Sequence, residues 1–247
     1  MGLGQVLAAK GDFAGAAAAY REAVRLDPED ARVQIDLGRL LGWKGDRDGM
    51  LAAYREAIRL DPKNARAQMY LGLALAMRGD RDGALTAYRE AIRLDPKNAE
   101  ALLYLGQGLT GKGDFGGAVA AYQEAVQLSP NFDAAYDALA RLLATGPDAV
   151  RDGKRAVEYA TRACELTDWG LPTVLDTLAA AYAEAGDFDK AIEYEKRALA
   201  VPGLEHYGKA FSDGMAGRLA LYAQKKPYHN PAYVRGEHTP PPESKAP

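Results

Sequence analysis

One spacing of 34 residues recurs along the chain and limits the folds that are open to it. It separates successive members of four sets of residues: a proline, a tyrosine, an alanine and a Leu-Gly pair. The sets are Pro28, Pro62, Pro96 and Pro130; Tyr20, Tyr54, Tyr88 and Tyr122; Ala23, Ala57, Ala91 and Ala125; and the pairs that begin at Leu3, Leu37, Leu71 and Leu105. Self-similarity at one period of this length predicts a solenoid, in which each repeat packs on its neighbours.

Each period predicts two helices, as residues 65–98 illustrate. The first helix runs from Ala65 to about Met77 with an apolar stripe at helical spacing, and it ends at Gly79, which tolerates the left-handed cap conformation. Asp80 is then placed to cap the second helix. Aspartates in the equivalent position of other repeats are Asp46, Asp114 and Asp187. Small residues that let the two helices approach closely are Gly72, Ala84 and Ala91.

These residues resemble the tetratricopeptide repeat (TPR) family, whose pattern is Trp-x2-Leu-Gly-x2-Tyr, then Ala-x3-Phe, then Ala and Pro. The matching residues of the 65–98 repeat, in that order, are Gln68, Leu71, Gly72, Leu75, Ala84, Tyr88, Ala91 and Pro96. Replacement of the Trp and of the first Tyr is a common departure in the family. The resemblance covers about residues 1–203 and implies an all-α, right-handed superhelical solenoid of antiparallel helix pairs.

The resemblance also implies an organisation for the whole chain. A truncated first repeat over residues 1–30 precedes five full repeats over residues 31–64, 65–98, 99–132, 133–171 and 172–205. The fifth repeat carries an inserted loop of about four residues that opens at Thr145-Gly146-Pro147. A capping helix over residues 206–224 and a disordered, Pro-rich tail over residues 225–247 follow, with polyproline II expected at Pro240–Pro242. The longer connection and the capping helix resemble the ends of bacterial TPR proteins.

The start of the chain departs from a complete repeat. Because Leu3-Gly4 occupies the Leu-Gly position, residue 1 aligns with the middle of a helix. We therefore expect an excerpt of a longer protein or a misassigned start codon, and an in-frame stop codon close upstream would contradict this. The apolar surface of the truncated repeat leaves self-association open, which sedimentation at several concentrations would test.

Composition argues against several classes of function. The formal net charge of -3 gives no electrostatic signature of nucleic-acid binding, and no apolar run approaches the roughly 18 residues of a membrane helix. Cys164 is the single cysteine, and the three histidines begin at His206, so a disulfide, a Cys-rich metal site and a His-based centre within the repeats are not expected. We predict no cofactor, no metal, no nucleic-acid or membrane partner, no catalytic residues and a cytoplasmic location.

A Gly-rich run from Gly106 to Gly113 matches the glycine pattern of a phosphate-binding loop. Such a loop needs a strand before the glycines and a helix after them, whereas this run lies inside a predicted first helix. Cys164 is expected to be a small packing residue of a second helix. His229 and His238 lie in the predicted tail, too isolated for a metal site.

In the TPR family the first helices of the repeats line a concave groove, on the face opposite the Leu-Gly stripe. The candidate peptide-binding groove on this basis consists of Arg32, Arg39, Trp43, Arg66, Met69, Tyr70, Leu73, Met77, Leu103, Tyr104 and Gln107. The corresponding residues of the fifth and sixth repeats are Asp137, Arg141, Asp176 and Thr177. Tyr and Trp are favoured interface anchors, Met adapts its shape, and Arg can hold a carboxylate. Packing of some of these side chains on adjacent first helices remains the alternative.

The sequence therefore predicts a non-catalytic interaction module or scaffold. Its partner is a protein or peptide, extended or helical, that carries apolar side chains and a carboxylate. Chaperone-type carboxylate clamps are not expected, because the positions of their asparagines hold Asp36, Tyr70, Tyr104 and Ala138. Two alternatives stay open: the regulatory TPR portion of a larger enzyme whose catalytic domain lies upstream, and a self-associating scaffold.

Overall fold

The computed structural model describes residues 2–235, and the side chains of residues 2–233. Within these residues the regular secondary structure consists of helices alone, which confirms the all-α prediction. The chain divides into two compact units, unit 1 up to Tyr104 and unit 2 from Leu105 onward.

Unit 1 is a stack of helix pairs. Its helices are α1 (Leu3–Ala9), α2 (Phe13–Leu26), α3 (Ala31–Trp43), α4 (Arg47–Leu60), α5 (Ala65–Met77), α6 (Arg81–Leu94) and the first part of α7 (Ala99–Lys112). Helix α3 packs on α4 and α5 packs on α6, while α2 contacts α3 and α4 contacts α5. The predicted first helix from Ala65 to Met77 therefore has the bounds that the sequence indicated.

Unit 2 also consists of packed helix pairs. After the second part of α7 it contains α8 (Phe115–Leu128), α9 (Asp133–Thr145), α10 (Gly153–Leu166), α11 (Pro172–Glu184), α12 (Phe188–Leu199), α13 (Lys209–Ala223) and α14 (Pro231–Arg235). A short 3₁₀ helix, Leu204–Tyr207, precedes α13. The capping helix, expected over residues 206–224, is α13, and it packs on α12.

Aspartate caps start the second helices, as the sequence predicts. The carboxylate of Asp80 accepts a hydrogen bond of 2.9 Å from the backbone N–H of Gly83, and Asp114 accepts one of 2.9 Å from Gly117. Both of these helices follow a glycine with positive φ, Gly79 at 87° and Gly113 at 81°. A left-handed residue stops the first helix, and the aspartate satisfies an otherwise unpaired N–H of the second.

The repeated Leu-Gly pair and the repeated tyrosine explain one another. In each full helix pair of the first repeats, the tyrosine ring of the second helix lies against the glycine of the first. A Cβ added to Gly72 would lie 2.5 Å from Cε1 of Tyr88, and one added to Gly38 would lie 2.5 Å from Cε1 of Tyr54. Both tyrosines are buried. Because only a hydrogen fits between backbone and ring, the two sets must recur together.

The inserted loop of the fifth repeat is present. Residues 146–152 connect α9 to α10, whereas residues 78–80 suffice between α5 and α6. The Arg151 guanidinium donates a 3.0 Å hydrogen bond to the carbonyl oxygen of Gly146, which closes the loop on itself. Asp152 then caps α10 through the N–H of Arg155.

The expectation of a disordered tail from residue 225 is wrong for residues 225–235. This stretch lies on unit 2, where the N–H of Asn230 donates a 2.9 Å hydrogen bond to the carbonyl oxygen of Thr145. The side chain of Asn230 accepts from the N–H of Ala232, and Pro231 occupies the first turn, so the pair starts α14. The proline run Pro240–Pro242 and His238 lie outside the described residues.

Candidate functional site

Tyr70 of α5 is the central residue of the candidate site. Its ring stacks on the ring of Tyr54 from α4, with centroids 5.5 Å apart and planes 15° apart. Tyr54 is buried, and burial raises the pKa of its hydroxyl well above the ordinary value. Tyr70 is only partly buried. The stack thus fixes one face of the Tyr70 ring on the core and leaves its periphery at the surface.

Two guanidinium groups flank the Tyr70 ring. The Cζ atoms of Arg39 and Arg66 each lie 5.8 Å from its centroid. Arg39 lies at the same distance, 5.8 Å, from the ring centroid of Trp43. Its contact with Asp36, at 3.7 Å, is longer than a hydrogen bond. Cation–π contacts of this kind stabilise an exposed pair by about 0.5–1 kcal/mol and orient the guanidinium planes.

Trp43 extends the same surface. Its ring meets the edge of Phe13 at a centroid distance of 6.0 Å and an interplanar angle of 71°. Trp43 is 63% exposed and Phe13 41% exposed, which is unusual for such large apolar side chains. Ring contacts and guanidinium–ring contacts therefore connect these side chains along unit 1. We call this set of residues the Arg-aromatic surface; it consists of Phe13, Arg39, Trp43, Arg66 and Tyr70.

Tyr104 is partly buried, like Tyr70, and stacks on a tyrosine of the second helix in the same way. Its ring stacks on Tyr88 with centroids 5.9 Å apart, and its hydroxyl donates a 3.4 Å hydrogen bond to Glu100. Burial, with a smaller contribution from the Glu100 carboxylate, raises the pKa of Tyr104 to about 12. The phenol therefore remains a hydrogen-bond donor at neutral pH, but Glu100 already receives that bond.

Two of the residues expected in the groove are buried instead. Met69 is fully buried beside Ala91 and Ala101, with Tyr70 and Tyr104 packed over the same cluster. Leu103 is buried as well. The expectation of an exposed position was wrong for both, because this face of the first helix packs on the neighbouring helices. An alanine at position 101 leaves the room that Met69 fills.

The remaining expected residues differ in their surroundings. Arg32 is exposed, but its guanidinium pairs with Asp30 at 3.1 Å, two residues away, at the start of α3. Leu73 is partly buried, Gln107 is exposed, and Met77 is 41% exposed at the end of α5. Met77 thus adds apolar surface to unit 1, whereas Arg32 is held by its own helix cap.

In unit 2, the groove positions of the sixth repeat are covered. Arg218 of α13 donates a 2.6 Å hydrogen bond to Asp176, and Glu195 of α12 lies 3.7 Å from the same guanidinium. Glu195 is fully buried, and burial together with the Asp176 carboxylate raises its pKa to about 10. Glu195 therefore carries a proton while Asp176 pairs with Arg218. Thr177 is also buried, and its hydroxyl donates to the carbonyl oxygen of Thr173.

This buried cluster had no signal in the sequence, because Arg218 and Asp176 lie 42 residues apart and follow no period. In the fifth repeat Arg141 pairs with Asp137 at 3.3 Å, one helical turn away. The charged groove positions of the fifth and sixth repeats, Asp137, Arg141 and Asp176, therefore lie in ion pairs.

Cys164 is buried, and burial raises the pKa of its thiol to about 12, so it is a packing residue as predicted. The Gly-rich run from Gly106 lies within α7, which extends to Lys112, and so does not form a phosphate-binding loop.

Among residues 2–235 no three His, Cys, Asp or Glu side chains are placed to hold a metal ion. No helix in this range has the length and apolar character that a membrane crossing requires.

Comparison with known families agrees with this architecture. Models described as tetratricopeptide repeat match residues 35–91, 78–131 and 173–202, and a model described as TPR repeat matches residues 4–45. No curated protein sequence matches the chain significantly.

Solved structures with a similar fold include three named proteins. MamA is 27% identical, with a TM-score of 0.57 over 68% of this chain and 96% of that chain. YrrB, described as a TPR protein with an unusual peptide-binding site, is 23% identical, with a TM-score of 0.61 over 85% and 99% of the two chains. PilW, described as a widely conserved type IV pilus biogenesis factor, is 20% identical, with a TM-score of 0.70 over 80% and 90%. With the family models and the Gly-Tyr packing of its helix pairs, the chain belongs to the tetratricopeptide repeat family.

Proposed function

We propose that this protein is a non-catalytic interaction module whose Arg-aromatic surface binds a peptide segment of a partner protein. The observation that carries the proposal is the Tyr70 ring, fixed on the core by Tyr54 and flanked by Arg39 and Arg66 at 5.8 Å. Exposed Trp43 lies next to Arg39 and offers apolar area for burial. Rigid aromatic rings beside arginines are the residue types that dominate binding energy at protein interfaces.

The same geometry defines the chemistry of the ligand. An apolar side chain would bury against Trp43 and the outer part of Tyr70, while a carboxylate would accept hydrogen bonds from the Arg39 guanidinium. Arg39 is suited to this role since its contact with Asp36 is beyond hydrogen-bond length. A peptide covering five or six side chains buries a small area, so we expect micromolar affinity. YrrB, described as having an unusual peptide-binding site, has the same fold, which is therefore compatible with this use.

Selection from a random 12-residue peptide display library tests the proposal. The test variant is Arg39→Ser/Trp43→Ser, which changes two side chains at the surface and should leave the helical circular dichroism intact. The matched control is Leu26→Ser/Arg59→Ser, because Leu26 is 70% exposed and Arg59 is an exposed arginine away from the aromatic rings.

We expect the wild type and the control to enrich the same peptides, with an apolar residue and a carboxylate in common. The test variant should bind these peptides at least tenfold more weakly. Unchanged dissociation constants for the test variant would exclude the Arg-aromatic surface as the binding site.

A further inference from the structure

Residues 226–233, here called the C-terminal segment, cross unit 2 after α13 ends. Lys225 adopts a left-handed conformation with φ of 56°, and the N–H groups of Lys225 and Lys226 bond to the carbonyl oxygens of Tyr222 and Leu221. This pattern is the Schellman motif, which turns the chain sharply at the end of a helix. The segment therefore leaves α13 in a defined direction.

Three contacts of the segment are spread over distant parts of unit 2. Tyr228 packs on the apolar cluster that contains Tyr222, beneath the guanidinium of Arg218 at 5.4 Å. The N–H of Asn230 donates to the carbonyl oxygen of Thr145, at the end of α9. The ring of Tyr233 meets Phe115, at the start of α8, edge-on at 5.6 Å. A segment of eight residues thus spans the ends of helices from three different repeats.

A fourth contact uses the inserted loop of the fifth repeat. Nε2 of His229 lies 2.8 Å from Oε2 of Glu184, at the end of α11. The other carboxylate oxygen of Glu184 accepts a 3.0 Å hydrogen bond from Arg151, which belongs to the inserted loop. Arg151 in turn holds the carbonyl oxygen of Gly146. The insertion therefore positions the carboxylate that receives His229.

These contacts have the character of peptide recognition rather than of a helix core. They consist of two aromatic side chains, one side-chain hydrogen bond and one backbone hydrogen bond to a helix end, and the His229 side chain remains 38% exposed. A short tether gives such a segment an effective concentration of about millimolar, so weak contacts are enough to keep it bound.

We infer that unit 2 carries a second peptide-binding surface, formed by Phe115, Thr145, Glu184 and the Tyr222 cluster, which the C-terminal segment occupies in the same chain. The partner that fits it is an extended peptide with the same chemistry: an aromatic residue, then a histidine that faces Glu184, and a second aromatic residue five positions after the first. Such a peptide competes with the C-terminal segment for the surface. This inference does not depend on the Arg-aromatic surface of unit 1.

The probe is a fluorescein-labelled peptide with the sequence of residues 226–235, titrated with full-length protein and followed by fluorescence anisotropy. The released variant is Tyr228→Ser/His229→Ala/Tyr233→Ser in the full chain. A second variant, His229→Ala/Tyr233→Ser, retains the partly buried Tyr228 and replaces the released variant if circular dichroism shows a loss of helix. Control peptides carry the same three substitutions one at a time, which leaves the protein untouched.

We expect the released variant to bind the wild-type peptide at least tenfold more tightly than the wild-type chain does, because its own segment no longer competes. Each substituted peptide should bind the released variant at least fivefold more weakly than the wild-type peptide. Two results would overturn the inference: equal affinity of the wild-type chain and the folded variants for the peptide, or equal affinity of the released variant for the wild-type and the substituted peptides.

Discussion

Two glycines on one helix should respond in opposite ways to the same substitution. Gly106 and Gly111 both lie in α7. A Cβ at Gly106 would lie 2.6 Å and 2.9 Å from Cδ1 and Cζ of Tyr122, whereas a Cβ at Gly111 would meet no atom within 4 Å. Tyr122 is buried and its hydroxyl lies 3.4 Å from Oγ1 of Thr110, so the ring has little freedom to move.

The magnitudes follow from two opposing contributions. Alanine in place of glycine stabilises a helix interior by about 0.5–1 kcal/mol, and this is the whole effect expected for Gly111→Ala. Overpacking of a buried site costs about 1–3 kcal/mol, and the closeness of the ring places Gly106→Ala at the upper end. After the helix propensity is subtracted, Gly106→Ala should destabilise by about 2 kcal/mol. The two variants should therefore differ by about 3 kcal/mol.

Urea unfolding followed by circular dichroism measures both values, and hydrogen exchange of peptides from α7 and α8 localises them. The reasoning also predicts that the cost of Gly106→Ala becomes much smaller in a Tyr122→Leu background, since the ring carbons that crowd the new Cβ are gone. An equal cost in both backgrounds, or a shift of the same sign for Gly106→Ala and Gly111→Ala, would refute the packing argument.

Three further variants test other parts of the structure. Because burial raises the pKa of Glu195 to about 10 from an ordinary 4.5, the folded state keeps a proton that the unfolded state releases, and the free energy of unfolding of the wild type should fall as pH rises from 5 to 9. Glu195→Gln should make this pH dependence weaker when urea unfolding is measured at several pH values. An unchanged pH dependence in the variant would contradict the assignment of the proton to Glu195. Asp80→Ala should cost about 1 kcal/mol in urea unfolding through loss of the cap on α6, with Asp82→Ala as the comparison. Lys225→Gly should raise the free energy of unfolding by about 0.5–1 kcal/mol, since glycine adopts the left-handed conformation without strain. A lower melting temperature of this variant in thermal unfolding would count against the prediction.

The helix pairs could be predicted from the sequence because their determinants lie within one period. Gly72 and Tyr88 are 16 residues apart, and the cap at Asp80 lies between them, so local spacing contains the whole packing unit. Tyr70 is partly exposed on the first helix of its repeat, and its role in binding stays a prediction.

Exposure within the groove could not be predicted residue by residue. Met69 is buried whereas Met77 is exposed, although both lie on the same helix. The burial of Met69 depends on its packing against Ala101 in the next repeat. Features without a period were missed altogether. Arg218 covers Asp176 from a helix outside the repeat pattern, and nothing local marks the pairing of the C-terminal segment with unit 2.

The central claim is that the Arg-aromatic surface of unit 1 binds a peptide, and the two tryptophans of the chain allow a direct test. Trp43 lies in that surface, whereas Trp169 lies in unit 2, where it stacks on Tyr194 beside Arg197. The measurement is the pair of indole N–H signals in a ¹⁵N-correlated NMR spectrum, assigned with Trp43→Phe, during titration with the peptide most enriched in the display selection. The account predicts that the Trp43 signal shifts in a saturable way while the Trp169 signal stays in place. A Trp43 signal that is unchanged at saturation would contradict it.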